Sequence, residues 1–489
     1  MLDAPHSPLL CNIAKHAVEY PEKVALVEGD LRITYRQLAL RIESVAAYLH
    51  AMGVKSGDRI LLAAQKEVEF TYVYFAAHLI GAVNVVVDSA APVDRLSYII
   101  STVNPVLILG EGIDNAPCPC VPLRGNPFAA IGGDRKIVPQ RINGDAVADI
   151  MFTTGTTGLP KGVCLSHENI AGSAGNTNAF IGTTADDIEA LALPLSHSFG
   201  LGRLRCVFSV GATLVLVGNF ANLKSFFNIL EKEKVTGFGM VPAVWQYIKR
   251  ISGRRITRFA GQLKYIEIGS AALPVEDKHL LMELFPDTRL CMHYGLTEAS
   301  RAMFIEFHEQ ENRLDSIGQP SSPLVEACVM DDKGQAKAAG IDGEICVRGN
   351  MVTKTYLLPD DNHDAFHGAW FRTGDWGHCD TDGYYYLTGR KKELINVGGE
   401  KVSPETIEDA IKSVGVADCA CVGVQDPNGM LGEVPKAYLK KSENCLELND
   451  IKRRVAQLLP PHEVPALWEW VDFIPRTDSG KIQRLKLKQ

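Results

Sequence analysis

Ten residues of this chain gather the means to hold an anion: Thr153-Thr154-Gly155-Thr156-Thr157-Gly158-Leu159-Pro160-Lys161-Gly162, directly after the apolar run Ile150-Met151-Phe152. Gly155 and Gly158 let the backbone turn with no Cβ in the way, so N–H groups can converge on a phosphate. The threonine hydroxyls and Lys161 add donors and charge. A Walker loop needs G-x-x-x-x-G-K-[ST], and Lys161 lies instead between Pro160 and Gly162, so the spacing is not that of a P-loop NTPase. Taken alone, the stretch also reads as a surface Gly/Thr turn. Four further clusters carry chemistry-bearing groups: Tyr294-Gly295-Leu296-Thr297-Glu298, Arg372-Thr373-Gly374-Asp375, Gly389-Arg390-Lys391-Lys392-Glu393 and Pro475-Arg476-Thr477-Asp478-Ser479-Gly480-Lys481.

The elements that must position these groups follow from periodicity. Thr34-Tyr35-Arg36-Gln37 has the form of a capping box, and Leu38, Ile42, Val45 and Leu49 recur at helical spacing up to Gly53. Arg59 to Ala64, Val83 to Val87 and Val106 to Leu109 read as short buried strands, with helices over Glu69 to Ile80 and Pro92 to Thr102 between them. The alternation returns with helix Leu223 to Lys232, strand Val235 to Met240, helix Ala243 to Ile251, strand Leu263 to Ile268, helix Val275 to Phe285 and strand Thr288 to His293. Such alternation predicts parallel sheets wrapped by helices, here as two doubly wound α/β lobes. From Leu324 to Leu387, strands and turn signals such as Asp331-Asp332-Lys333-Gly334 and Asp380-Thr381-Asp382-Gly383 predict a third, β-rich lobe. After Gly389 a smaller α+β pattern begins, with Ser403-Pro404 opening a helix and Val416 to Val424 reading as a strand. The expected fold is therefore α/β, with a large N-terminal domain over residues 1–389 and a small mobile α+β domain over 390–489.

At 489 residues the chain exceeds one ordinary core, and 46% hydrophobic with 22% charged residues is the composition of a globular protein. The start of the chain shows no basic segment followed by an apolar one, so a cytoplasmic location is expected. The apolar run Val73 to Val87 is interrupted by His78 and Asn84 and falls short of the roughly 18 residues of a membrane span, which predicts a buried helix and strand and no integral membrane segment. Twelve cysteines lie scattered without a paired C-x-x-C, so neither a zinc site nor a disulfide framework is expected. The net charge of −8 argues against a nucleic-acid partner.

In their order along the chain, the five clusters resemble the acyl-adenylate-forming superfamily, which includes acyl-CoA synthetases, aryl-CoA ligases, firefly-type luciferases and the adenylation domains of peptide synthetases. The likeness runs from Thr34-Tyr35 to Lys481. It implies activation of a carboxylic acid by ATP, with pyrophosphate leaving and acyl-AMP forming, then transfer to a thiol. Two anions must meet in the first step, so charge and donors have to be concentrated at the phosphates. By resemblance, Thr153, Thr154, Gly155, Thr156, Thr157, Gly158 and Lys161 grip the phosphates, Thr297 reaches the α-phosphate, and Glu298 holds Mg²⁺. Tyr294 offers a flat face to adenine, Asp375 accepts both ribose hydroxyls, and Arg390 is a second ribose contact. Lys481 is expected to contact the α-phosphate and the attacking carboxylate together. A charge placed there is strongest in the transition state.

For the acid, His197 matches an aromatic position beside the substrate carboxylate, and Phe199, Arg203, Gly269, Ser270, Ala271, Ala272 and His293 would line the pocket. Arg203 either pairs a second polar group on the acid or points to solvent. Ser198 stands where activators of α-amino acids tend to carry an aspartate, which disfavours that class. Thr355-Tyr356 replaces a common Gly-Tyr, a departure that looks structural. Asn396 replaces a lysine of coumarate ligases and luciferases, which puts those two activities in doubt. The resemblance places a hinge at Lys392, about which the small domain swings to withdraw Lys481 and present Gly398 and Gly399 to a pantetheine arm.

The expected activity is an acid:CoA ligase using ATP, Mg²⁺ and coenzyme A. The alternative acceptor is the phosphopantetheine of a separate acyl carrier protein. A CoA nucleotide would call on lysines such as Lys401, Lys436, Lys440 or Lys441. A non-catalytic nucleotide-binding sensor is the remote alternative, and it should have lost Lys481, Glu298 or Asp375, all of which are present. The identity of the acid and the oligomeric state are not legible in the sequence.

Overall fold

A computed structural model describes residues 7–488 apart from 89, 112, 114–116, 124–141, 154–158, 399, 430, 442–445 and 477–481. The described residues divide into two compact units, one of 7–153, 160–327 and 347–371, the other of 159, 328–346 and 372–488. The strand pairing of Asp375 with Arg390 groups residues 372–389 with those that follow in the second unit.

The first unit opens with α1 (Pro8–Glu19), β1 (Val24–Glu28), β2 (Leu31–Thr34), α2 (Tyr35–Ala51), β3 (Arg59–Ala63), α3 (Val68–Leu79), β4 (Val83–Val87), α4 (Val93–Val103), β5 (Leu107–Leu109), β6 (Cys120–Val121), β7 (Val147–Phe152) and β8 (Gly162–Ser166). It continues with α5 (His167–Ile181), β9 (Ile188–Leu191), α6 (Ser198–Val210), β10 (Thr213–Leu216), α7 (Leu223–Lys232), β11 (Gly237–Met240), α8 (Pro242–Ser252), β12 (Tyr265–Ile268), α9 (Val275–Leu284), β13 (Arg289–Tyr294), β14 (Met303–Glu306) and β15 (Gln319–Pro320). These form two sheets. One has nine strands in the order β15-β14-β13-β12-β11-β9-β10-β1-β2, and the other runs from the short strand Thr355–Tyr356 through β8-β7-β4-β3-β5-β6. Their centres are parallel, as helical crossovers require, and parallel strands are buried on both faces.

Local sequence explains the frame. Thr34 caps α2 reciprocally: its Oγ1 accepts from the Gln37 N–H at 3.3 Å while Gln37 Oε1 accepts from the Thr34 N–H at 2.9 Å. The apolar run from Val73 is the end of α3, a helix buried on nearly every side, followed by β4, whose five residues are all buried. Under the larger sheet an aromatic core collects Phe220, Phe226, Phe238 and Trp245. In the smaller sheet, Asp149 of β7 is wholly buried. It accepts from Tyr74 Oη at 2.7 Å, lies 3.0 Å from His78 Nε2 and 2.5 Å from Arg205 Nη2, and so pins the strand that leads into the Thr/Gly loop between α3 and α6.

In the second unit the strands Cys419–Gln425 and Glu433–Lys440 pair antiparallel, and the latter runs parallel to Leu467–Val471. Ile407 and Ile411 of the helix Pro404–Ser413 pack on them with Ile451 and Val455 of Leu448–Leu458. Ser403 caps the first of these helices, as its Ser-Pro start predicts, by accepting from the Thr406 N–H. Among the described residues no disulfide joins two cysteines, no helix is long and apolar enough to cross a membrane, and no three His, Cys, Asp or Glu side chains are grouped to hold a metal.

Candidate active site

The Thr/Gly loop leaves β7 and returns into β8, whose antiparallel pairing sets Phe152 opposite Gly162. The Thr153 N–H donates to the Lys161 carbonyl at 3.0 Å and closes the neck of the loop. Thr154, Gly155, Thr156, Thr157 and Gly158 lie outside the described residues. Lys161 Nζ is 3.2 Å from Asp361 and 5.3 Å from the ring centroid of Tyr356. That tyrosine is fixed from two directions: it pairs with Val163 of β8, and its N–H donates to Asn362 Oδ1 at 2.8 Å.

Tyr356 also reaches the second motif. Its Oη donates to Glu298 Oε1 at 2.7 Å, and both side chains are buried. Burial first, and the Glu298 carboxylate second, push the Tyr356 hydroxyl far above its ordinary pKa, so it stays a donor. The Thr353 N–H donates to the Glu298 carbonyl at 2.8 Å, and Ala299 bridges to Val352. Glu298 and Lys161 are thus assembled around one phenol ring, with half-buried Thr297 next in the chain. From sequence alone Tyr356 looks structural and Asp361 stands in no chemistry-bearing cluster. Neither carries a local signal, because Tyr356 meets Glu298 only through the pairing of Thr355–Tyr356 with β8.

The expected acid pocket lies where β11, β12, β13 and the first turn of α6 end together. His197 is exposed at the N-cap of α6. Past β12 come buried Gly269, then Ser270 at φ +75°, a left-handed backbone that serine rarely adopts, and exposed Ala271 and Ala272. A Cβ on Gly269 would lie 2.0 Å from the His293 ring, so only glycine allows this approach. His293 Nδ1 is 2.7 Å from Glu267, and its ring meets Phe199 edge-on at 4.6 Å. Half-buried Tyr294 ends β13.

Arg203 neither lines the open pocket nor points to solvent. It is wholly buried, bonded to Glu189 through Nε at 2.7 Å and through Nη2, and 3.1 Å from Glu267 through Nη1. The carboxylates beside it explain this: a buried guanidinium persists only when paired. Burial alone would raise the Glu267 carboxyl, but Arg301, then Arg203 and His293, outweigh it and hold it well below the usual range. Burial lowers the His293 pKa against the opposing pull of Glu267. The sequence reading does not single out Glu267 or Arg301; neither lies in a cluster chosen for its chemistry.

In the second unit Asp375 is buried, with Oδ1 2.7 Å from Arg390 Nε across a strand pair, so the two expected ribose contacts meet. The Asp375 N–H donates to Thr373 Oγ1 at 3.0 Å, and that hydroxyl donates to the Ile345 carbonyl at 2.6 Å. Lys391 is tied to Glu344 and Asp332, whereas Lys392 is exposed. Gly398 is exposed at φ +61° and its N–H donates to the Leu431 carbonyl at 2.8 Å. Lys436 is engaged by Glu469 at 2.7 Å, while Lys440 and Lys441 are exposed. Gly399, Lys481 and the side chain of Lys401 lie outside the described residues.

Residues 13–357 match the model of the AMP-binding enzyme family, and residues 406–481 match that of the AMP-binding enzyme C-terminal domain. The chain is similar to the 2-succinylbenzoate–CoA ligase of Bacillus licheniformis, at 30% identity over 96% of this chain and 97% of that protein. It is similar also to the oxalate–CoA ligase of Arabidopsis thaliana, at 31% identity over 98% and 97%. Its fold is similar to that of the O-succinylbenzoate coenzyme A synthetase of Bacillus subtilis solved with ATP and magnesium ion, with a TM-score of 0.87, 26% identity and coverage of 98% and 99%.

Proposed function

The chain belongs to the AMP-binding enzyme family and is an AMP-forming acyl-CoA synthetase, and from that premise we propose how its residues divide the work. A carboxylate oxygen of the acid attacks the α-phosphorus of ATP, the bond from phosphorus to the bridging oxygen breaks, and pyrophosphate leaves with that electron pair. Coenzyme A sulfur then attacks the acyl carbonyl, AMP departs, and the thiol proton is released. Lys161 and the loop it closes hold the phosphates, while Asp375 and Arg390 hold the ribose. Thr297 donates to the α-phosphate, His197 stands beside the acid carboxylate, and Lys481 offsets the charge that builds at phosphorus.

The observation that carries this reading is the Glu298–Tyr356–Lys161 arrangement. Glu298 Oε1 is held by a phenol, and among the described residues no hydrogen bond engages Oε2. That donor set fits Mg²⁺, which is usually held by one or two carboxylates together with substrate phosphates and not by a closed protein cage. When bound, the ion would neutralise phosphate charge that Lys161 alone cannot. Tyr356 keeps the carboxylate oriented, and Asp361 holds the lysine ready until a phosphate displaces it.

That the similar curated proteins are CoA ligases supports coenzyme A as acceptor in preference to a carrier protein. The test is acid-dependent exchange of labelled pyrophosphate into ATP over a panel of acids, followed by addition of CoA or a holo carrier. Exchange followed by CoA thioester is the expected result. Exchange with turnover of the carrier only would select the other acceptor, and no exchange with any acid would select a nucleotide sensor.

A further inference from the structure

We propose that the acid pocket is closed at its floor by aromatic rings backed by a buried charged layer, so that the enzyme takes compact carboxylic acids and rejects long straight-chain ones. The inference rests on the reading that the acid lies beside His197 and Ser270. An acyl tail passing Phe199 along β11 would need the space above Gly239 and Gly237, and that space is filled. A Cβ on Gly239 would meet Leu193 at 3.0 Å and the Phe199 ring at 3.1 Å. At Gly237, about 7 Å deeper at the usual rise of a strand, it would lie 2.2 Å from the Tyr265 ring.

Behind the rings stand charges. The Arg301 guanidinium is 5.0 Å from the Phe199 centroid, donates from Nη2 to the Phe199 carbonyl at 3.0 Å and from Nε to Glu267 at 2.7 Å. It packs closely on α6, where a Cβ on Gly202 would be 2.2 Å from its Nη1. Arg203 joins Glu267 to Glu189, and Tyr265 Oη donates to Glu189 at 2.6 Å. Arg203, Glu189 and Glu267 are completely buried and Arg301 nearly so. A methylene chain driven past Phe199 would separate buried ion pairs and offer them no hydrogen bond in return. The floor holds shut because each charge in it is partnered.

The experiment is kcat/KM for pyrophosphate–ATP exchange with straight-chain acids from acetate to hexadecanoate, and with benzoate. The structure predicts a maximum among the short acids, with butanoate above decanoate by at least about tenfold, as overpacking a filled site requires. A rise of about fourfold for each methylene, the gain of an open apolar tunnel, would overturn the proposal. Phe199→Ala should raise the octanoate-to-butanoate ratio at least about tenfold, with Phe199→Leu a milder second variant should the first fail to fold. An unchanged ratio in a folded variant would refute Phe199 as the floor. No exchange with any acid would fail the parent reading, and this inference with it, and is distinct from exchange with the wrong length preference.

Discussion

The hydroxyl of Tyr356 donates to Glu298 while Lys161 stands over its ring, so one side chain touches both the carboxylate and the cation expected at the phosphates. Tyr356→Phe should remove a hydrogen bond to a charged acceptor, lowering stability by about 1.5–3 kcal/mol. It should also slow pyrophosphate exchange tenfold to about a hundredfold by loosening Glu298, with the KM for the acid unchanged. Denaturant titration and exchange kinetics at varied MgATP check both. A stability loss with normal exchange would reduce Tyr356 to packing. Glu298 and Lys161, the groups expected at the phosphates, stand in short motifs of the chain. Tyr356 is not, because it lies 58 positions from Glu298 and reaches it only through a strand register. Arg203 misleads for a related reason: its partners, Glu189 and Glu267, sit in strands that nothing local marks as its neighbours.

At the scale of elements, the helices with a clean apolar stripe or cap, such as α2 and α7, are readable to within two residues at each end. No helix is expected between 163 and 222, yet α5 and α6 lie there. Both bury polar groups that break the period: Asn169 of α5 donates to the Asn350 and Val352 carbonyls, Asn178 donates to the Cys206 carbonyl, and α6 hides Arg203 and Arg205. His167, the first residue of α5, is almost wholly buried, and burial, then His78, pushes its pKa down to about 3. His16 of α1 and His293 of β13 are lowered in the same direction, mainly by burial. In the unfolded chain these imidazoles take a proton near pH 6.5, which the folded state refuses. The stability they preserve is complete above that pH and is lost as pH falls toward the folded values, at about 1.4 kcal/mol per unit for each such group. As these imidazoles are protonated on unfolding, the urea midpoint should fall from pH 6.5 to 5, and His167→Asn should flatten the fall. A midpoint independent of pH over that range would contradict it.

The α/β class of the chain follows from alternating strands and helices, whereas the grouping of residues 372–389 with the second unit depends on a strand pairing that no local signal announces. The two half-reactions ask different things of the small domain, and the proposed roles of Lys481 and Lys392 separate them. Lys481→Ala should slow acyl-AMP formation by at least about 10², the loss of roughly 3 kcal/mol that follows removal of a preorganised transition-state contact. Given preformed acyl-AMP and thiol, the same variant should form thioester at nearly the wild-type rate. Lys392→Pro should do the reverse, because proline fixes φ at the expected hinge. Equal loss of both half-reactions in folded Lys481→Ala would rule out alternation between two arrangements. Formation of acyl-AMP leaves its record in the path of one oxygen atom. With the acid labelled by ¹⁸O in its carboxylate, mass spectrometry after complete conversion to the CoA thioester should find one ¹⁸O in the phosphate of AMP and none in pyrophosphate. AMP without label, or label in pyrophosphate, would contradict attack of the carboxylate on the α-phosphorus.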